Sequence, residues 1–290
     1  MKVICAETAG FCFGVERAVN TVYEAIENGE DRIYTYGPII HNETVVKELE
    51  DKGVSIISSP GELKELDGGL VIIRSHGVTK EIYDIMEERG IKYIDATCPF
   101  VLKIHDLVSE AAERGEYIVI AGDRKHPEVE GILSFAGEAV TVVKDEAEAA
   151  DFRPPEGKKL FLAAQTTFNS NIFNKIVEIF EEKRYYYGTV RTICSATELR
   201  QKETGELARK VDAMIVIGGA HSSNTRKLYD IAKGGCGNTI FVQTLDDLVS
   251  GKNAICGPAS CVGITAGAST PKNIIEEVQN YVRRFWTDVG

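Results

Sequence analysis

Residues 93–101, YIDATCPFV, join a short strand to a helix through a single cysteine, Cys98. The helix is indicated by apolar residues that recur every three or four positions after the cysteine. The same arrangement surrounds Cys12, which follows a strand predicted at residues 2–6, and Cys194, which follows one predicted at residues 189–193. The intervals between the three cysteines are 86 and 96 residues. The sequence therefore predicts one structural unit repeated three times.

The predicted units cover residues 14–97, residues 98–193, and residues 1–13 together with 194–290. Strands alternate with helices in each unit, so the fold class is α/β with mainly parallel sheets. The first strand precedes Cys12, and we expect it to pair with the sheet of the third unit. The helix after Cys194 is polar, with apolar positions at Leu199, Leu207 and Val211. Residues 145–159, which are acidic and contain two prolines, are interpreted as a surface loop.

Three histidines follow hydrophobic strands and precede a turn or a helix: His41, His76 and His126. Open α/β sheets bind ligands outside the carboxyl ends of their strands, so these side chains are candidates for a shared site. A single histidine in such a place is more often a surface or capping residue. Because the three histidines occupy equivalent positions in the repeat, we favour a shared binding site.

Two further turns carry hydroxyl groups at predicted helix starts. One contains Ser222, Ser223 and Asn224, and the other contains Ser269. Backbone amides and side-chain donors at a helix start can bind an anion such as phosphate. Ordinary N-capping is the alternative for each turn.

Glu128 follows His126 by two residues, and Thr166 and Thr167 end another strand. A carboxyl group close to bound anions holds its proton more tightly and can deliver one near neutral pH. The threonines are candidates to position or relay that proton. The alternatives are a solvated surface carboxylate and threonines that cap the next helix.

Three cysteines at helix starts are candidate metal ligands, since the helix dipole stabilises a thiolate there. Catalytic zinc and an iron–sulfur cluster with one iron free of cysteine both remain open from the residues alone. The other four cysteines, Cys5, Cys236, Cys256 and Cys261, open no helix and are assigned to packing. His105, inside the helix after Cys98, is interpreted as helix surface or inter-helix packing, and His221 is left without a role.

Composition excludes several functional classes. The chain has 290 residues and a net charge of −11, from 44 acidic and 33 basic residues. Such a charge repels phosphate backbones and anionic lipids, so nucleic-acid and membrane-surface binding are not expected. No apolar run approaches the ~20 residues of a membrane span, and no signal peptide is recognised. We expect a cytoplasmic protein.

Nine motifs resemble those of one family. They are GFCFGVERA, HNETVV, RSHGV, DATCPFV, HPEVEG, QTT, TICSATELRQ, GGAHSSNT and GITAGASTP, between Cys12 and about Phe285. In this order the motifs are similar to those of the LytB family of 4-hydroxy-3-methylbut-2-enyl diphosphate reductases.

The resemblance implies three α/β units arranged pseudo-threefold around a central [4Fe–4S] cluster held by Cys12, Cys98 and Cys194. The family's substrate-binding residues correspond to His41, His76, His126, Ser222, Ser223, Asn224 and Ser269. Its proton-delivering glutamate corresponds to Glu128 and its QTT threonine to Thr166. The implied reaction is reductive dehydroxylation of the allylic diphosphate to isopentenyl and dimethylallyl diphosphate, the last step of the non-mevalonate isoprenoid pathway.

No flavin or nicotinamide motif is recognised, so electrons are expected from an external ferredoxin or flavodoxin. Two rival functions stay open. One is a non-catalytic iron–sulfur or zinc sensor or scaffold, which would not require the anion-binding serines or Glu128. The other is a redox-silent zinc hydrolase of a phosphorylated substrate.

Overall fold

The computed structural model describes residues 2–250 and 259–285, which form twelve strands and twelve helices. The strands are β1 (Lys2–Cys5), β2 (Ile33–Tyr36), β3 (Val54–Ile57), β4 (Leu70–Ile73), β5 (Tyr93–Asp95), β6 (Tyr117–Ala121), β7 (Val140–Val143), β8 (Leu160–Ala164), β9 (Tyr187–Thr189), β10 (Ala213–Ile217), β11 (Thr239–Val242) and β12 (Cys261–Ala266). The helices are α1 (Phe13–Glu27), α2 (Glu43–Asp51), α3 (Pro60–Lys64), α4 (Lys80–Arg89), α5 (Pro99–Glu113), α6 (Pro127–Phe135), α7 (Glu146–Asp151), α8 (Ser170–Glu182), α9 (Ser195–Ala208), α10 (Ser223–Gly235), α11 (Leu245–Val249) and α12 (Lys272–Phe285).

The strands form three four-stranded sheets, in the orders β3-β2-β4-β5, β7-β6-β8-β9 and β1-β12-β10-β11. Every strand pair within the described residues is parallel. The predicted α/β class with parallel sheets is thus confirmed. So is the pairing of the first strand with the third sheet, where Lys2 lies opposite Cys261.

The central strands are continuous apolar runs. All residues of β4, β8 and β10 are buried, with the sequences LVII, LFLAA and AMIVI. Unbroken runs of this kind are typical of parallel strands that are covered on both faces.

In each sheet, two neighbouring central strands border different outer strands. In the second sheet, β6 leads to β7 on one side and β8 leads to β9 on the other. The first sheet repeats this with β2 and β4, and in the third sheet β10 leads to β11 whereas β12 borders β1. Such switch points are where open α/β sheets bind ligands, at the carboxyl ends of the strands.

The chain divides into two compact units. The first contains Met1–Val15, His41–Val45 and Ser195–Gly290, and the second contains Glu16–Ile40 and Val46–Cys194. The second unit therefore holds two of the three sheets. The three domain boundaries expected from the sequence remain a prediction.

Three local expectations differ from the structure. Residues Glu146–Asp151 of the loop expected at 145–159 form helix α7, which Asp145 caps by accepting from Glu148 N. Strand β9 ends at Thr189 rather than at residue 193, because the Thr192 hydroxyl replaces the backbone ladder at Ala164, accepting from its N and donating to its O.

Helix α9 is the third difference. It ends at Ala208, before Val211, and Leu199 is 59% exposed. The buried face of the helix instead carries polar side chains, among them Arg200 and Thr204. Apolar periodicity could not reveal this face.

Within the described ranges, no helix combines the length and hydropathy that crossing a membrane requires.

Candidate active site

Each of the three predicted cysteine ligands directly precedes a helix. Cys12 precedes α1, Cys98 is the N-cap of α5, and Cys194 precedes α9. All three thiols are partly buried. The amides and dipole of a helix start stabilise a thiolate, so these positions suit metal ligands.

The backbone amide of each cysteine donates to the loop after the neighbouring strand of the same sheet. The bonds run from Cys98 N to Ser75 O at 3.0 Å, from Cys194 N to Thr166 O at 3.1 Å, and from Cys12 N to Ala268 O at 3.3 Å. Those three loops also carry the candidates His76, Thr166 and Ser269. In every sheet, therefore, the cysteine loop is tied to a loop that bears a predicted site residue.

Glu128 lies at the switch point of the second sheet, where α6 follows β6. Its side chain is 1% exposed. Its Oε1 accepts from the backbone N of Thr166 at 2.6 Å, and its Oε2 accepts from the Thr166 hydroxyl at 2.8 Å. Thr166 therefore orients the carboxylate, whereas the helix-capping alternative fails because Asn169 caps α8.

His126 is the N-cap of α6 and is buried. Its Nδ1 accepts from Glu128 N at 3.1 Å, which places the proton of the neutral ring on Nε2. The His76 ring lies with its centroid 5.5 Å from that of His126. The second unit thus brings two candidate histidines and Glu128 together.

The first unit contains the hydroxyl-bearing turns. Ser222 caps α10 by accepting from Thr225 N at 3.2 Å, so the capping interpretation holds for this residue. Ser223 Oγ accepts from Lys227 Nζ at 2.9 Å. Lys227 is a cation that the sequence analysis missed, although its spacing of one helical turn from Ser223 was a signal.

Asn224 is 4% exposed, and its Nδ2 and Oδ1 have no hydrogen-bond partner among the described residues. A buried amide without partners costs free energy, and native proteins rarely leave one. The orphaned amide of Asn224 therefore supports a ligand-binding role for this residue.

The His41 segment belongs to the first unit and is held there by its backbone. Ser269 Oγ donates to His41 O at 3.0 Å. A Cβ atom on Gly219 would lie 2.5 Å from that same oxygen, so glycine is required for the close approach. Both turns of the first unit thereby position His41.

The sequence profile of the family described as "LytB protein" matches residues 3–283. This chain belongs to the LytB family. Two relatives named 4-hydroxy-3-methylbut-2-enyl diphosphate reductase illustrate the similarity. The protein from Thermoanaerobacter sp. (strain X514) is 42% identical over 284 residues, covering 98% of this chain and 97% of that protein. The protein from Geobacter metallireducens is 42% identical over 285 residues, covering 98% of both.

Two solved structures resemble this LytB family member. The E-1-hydroxy-2-methyl-but-2-enyl-4-diphosphate reductase of Plasmodium falciparum has a TM-score of 0.90 at 30% identity, over 98% of this chain and 88% of that chain. A second structure is described as (E)-4-hydroxy-3-methyl-but-2-enyl diphosphate reductase, the terminal enzyme of the non-mevalonate pathway. It has a TM-score of 0.67 at 37% identity, over 98% of this chain and all of that chain.

Among the other cysteines, Cys5, Cys236 and Cys261 lie away from helix starts in the described part of this LytB chain. Cys236 is buried in a hydrophobic core cluster, and Cys5 packs against another such cluster. Burial, with a smaller contribution from Glu203, raises the pKa of the Cys5 thiol. Cys261 begins β12 and is half-buried, and Cys256 lies outside the described residues.

The other two histidines also have distinct surroundings. His105 is buried and stacks on Phe135 of α6, with ring centroids 4.4 Å apart, which confirms inter-helix packing. Burial lowers the pKa of His105 to about 4. His221 is exposed, with Nε2 4.0 Å from a carboxylate oxygen of Glu43.

A glutamine of the QTT motif was missed by the sequence analysis. Gln165 is fully buried, and its Oε1 accepts from Asp123 N at 3.2 Å. Its Nε2 donates to the Thr167 hydroxyl at 3.0 Å. Gln165 therefore joins the loop between β6 and α6, which precedes Glu128, to the loop after β8, which carries Thr166. Its polar character at a buried strand end was the available signal.

Proposed function

We propose that this chain reduces (E)-4-hydroxy-3-methylbut-2-enyl diphosphate to isopentenyl and dimethylallyl diphosphate, the last step of the non-mevalonate isoprenoid pathway. The match to the LytB family over residues 3–283 and the relatives at 42% identity support this assignment. The reaction breaks a C–O bond and forms a C–H bond. It consumes two electrons and two protons, and the oxygen leaves as water.

The observation that carries the proposal is the bond between each helix-opening cysteine and a loop bearing a candidate site residue. It recurs in all three sheets. The parallel strand pairs bring these loops side by side, and in each case they join a candidate thiolate ligand to a turn with a histidine, threonine or serine, as a metal centre beside a bound anion requires.

The residues present fit an iron–sulfur cluster. Three partly buried cysteines at helix starts provide the thiolate ligation that such clusters require. When bound, a [4Fe–4S] cluster held by Cys12, Cys98 and Cys194 would supply electrons and one cysteine-free iron able to act as a Lewis acid.

The substrate's diphosphate is assigned to neutral donors. In the second unit these are His76 and the Nε2–H of His126, whose tautomer is set by the bond from Glu128 N. In the first unit they are the turn residues Ser222, Ser223 and Asn224, with His41 and Ser269. The orphaned amide of Asn224 supports this assignment most strongly.

Protonation is assigned to Glu128. Thr166 orients the carboxylate, and burial keeps it away from water, which favours proton transfer to a bound substrate. Thr166 is assigned to hold or relay that proton through its hydroxyl.

Electrons are assigned to an external donor, a ferredoxin or flavodoxin, since the sequence lacks a dinucleotide motif. We assign the chain to the cytoplasm.

Anaerobic assay of the purified chain with the allylic diphosphate and, in separate reactions, reduced ferredoxin and reduced flavodoxin tests the proposal. Mass spectrometry should detect both five-carbon products in proportion to the oxidised donor. Release of phosphate without donor oxidation would favour the zinc hydrolase, and no product with either donor would favour the sensor or scaffold. Either result would contradict the proposal.

A further inference from the structure

Two arginines hold the backbone ahead of two of the proposed cluster cysteines. Arg17 lies on α1 and Arg200 on α9, five and six residues after Cys12 and Cys194 respectively. The guanidinium of each donates to two backbone carbonyls far away in sequence. Neither arginine has a role in the proposed reaction.

Arg17 acts on the loop that leads to Cys98. Its Nη1 donates to Thr97 O at 2.7 Å and its Nη2 to Asp95 O at 2.9 Å. The Asp95 carboxylate holds the same loop by accepting from Thr97 N at 2.8 Å and from the Tyr83 hydroxyl at 3.0 Å. One guanidinium and one carboxylate therefore fix the backbone up to the residue before Cys98.

Arg200 acts on the loop that leads to Cys12. Its Nε donates to Thr8 O and its Nη2 to Gly10 O, both at 2.8 Å. Gly10 has φ of 104°, a conformation that favours glycine. The Arg200 side chain is 3% exposed, and a guanidinium is buried at acceptable cost only where acceptors meet its fork of donors.

A carboxylate also holds the loop ahead of Cys12, as Asp95 holds the loop ahead of Cys98. Glu203, one helical turn after Arg200, accepts from Glu7 N at 2.6 Å and from Thr8 N at 2.9 Å. Burial opposes ionisation, but the bonds from Thr8 and Glu7 hold the pKa of Glu203 below its usual value. The Cys12 loop is thus fixed as the Cys98 loop is, with its amides on a carboxylate and its carbonyls on an arginine.

Both arginines lie on the helix that follows one cysteine and bond to the loop that precedes another. The helix that Cys12 opens holds the loop ahead of Cys98, and the helix that Cys194 opens holds the loop ahead of Cys12. Each arginine therefore holds the backbone ahead of a cysteine other than the one that precedes its own helix.

We propose that Arg17 and Arg200 are positioning residues that fix the backbone ahead of Cys98 and Cys12 and so hold those thiols in place for the cluster. This inference rests on the proposed function, because it takes the cysteines to be cluster ligands. Hydrogen bonds from charged donors to loop carbonyls are stronger than neutral ones, which suits them to this task.

Hydrogen exchange on the full-length chain, purified anaerobically, tests the proposal. Arg17→Met should make the peptides covering residues 93–98 exchange about tenfold faster and leave residues 5–12 unchanged. Arg200→Met should give the reverse pattern. The lysine variants of both positions should be intermediate, since lysine keeps the charge but not the fork.

Lys103→Met is the matched control. Lys103 is exposed and lies five residues after Cys98, as Arg17 does after Cys12. The variant should leave the exchange rates of residues 93–98 and of residues 5–12 unchanged. A second readout separates positioning from general stability: a chelator should remove iron several-fold faster from Arg17→Lys and Arg200→Lys than from the control, under conditions where urea titration shows all three variants to be fully folded.

An equal rise in the exchange rates of both loops would overturn the proposal. So would a rise confined to the loop ahead of the cysteine that precedes the helix of the substituted arginine. So would unchanged iron release in both lysine variants. If the parent chain contains no iron, the proposed function fails, yet the crossed exchange pattern still tests the backbone contacts.

Discussion

Both carboxylate oxygens of Glu128 accept hydrogen bonds from Thr166, one from its backbone N at 2.6 Å and one from its hydroxyl at 2.8 Å. The two residues are 38 positions apart and end up together because β6 and β8 are adjacent parallel strands. The carboxylate therefore has one defined orientation at the switch point of the second sheet.

Glu128→Gln should preserve substrate binding but lower turnover by about 100-fold or more, because the amide has the shape of the carboxyl group but cannot deliver its proton. Calorimetry would give the Kd and product formation the kcat. Glu130→Gln is the control, since Glu130 is exposed on the same helix. Equal turnover in the two variants would remove Glu128 from the mechanism.

Cys98→Ser should lose iron and sulfide and all reductive turnover, because the hydroxyl is a poor ligand for iron in a cluster. Cys261→Ser makes the same chemical change at a half-buried cysteine within a strand. It should keep its iron. Metal analysis of both proteins, purified side by side without oxygen, checks the contrast, and retention of the cluster in Cys98→Ser would refute the ligand assignment.

Gly219→Ala should weaken substrate binding, because the new Cβ would lie 2.5 Å from His41 O and must displace that segment. Overpacking of this kind costs about 1–3 kcal/mol. Gly237→Ala, where no atom lies within 4 Å, is the control. Binding of the diphosphate is the measurement, and identical affinities would show that His41 does not require this approach.

The protonation of His105 on unfolding should make the protein less stable in mild acid. Burial lowers the pKa of His105 to about 4, so the unfolded chain takes up the proton first, near pH 6.5. Its contribution is complete above pH 6.5 and is lost as the pH falls towards 4. Between pH 7 and pH 5 the loss should be about 2 kcal/mol.

Urea unfolding at both pH values, without oxygen, measures this loss. The His105→Leu variant should lose less stability than the parent chain over the same interval. Equal losses would show that His105 is not the group responsible.

Local sequence predicted much of the fold and of the candidate site. Apolar strands such as LVII in β4, followed by polar residues and a helix, fix the parallel sheets through burial alone. The helix start at Cys98 was predicted from the apolar residues that recur every three or four positions after it, and α5 begins at Pro99.

Contacts between distant segments could not be predicted. Arg200 bonds to Thr8 and Gly10 from about 190 positions away, and nothing in the residues around it specifies those partners. For the same reason, apolar periodicity did not predict the buried polar face of α9. Polar side chains there are satisfied by the tertiary structure, which a local pattern does not contain.

Iron and acid-labile sulfide analysis combined with an electron paramagnetic resonance spectrum, recorded on the anaerobic protein with and without the allylic diphosphate, tests the central claim most directly. We predict iron and sulfide in the ratio of a cubane cluster and a reduced-state spectrum that changes when the substrate is added. Zinc without sulfide, or a cluster whose spectrum ignores the substrate, would contradict the assignment of this chain as a diphosphate reductase.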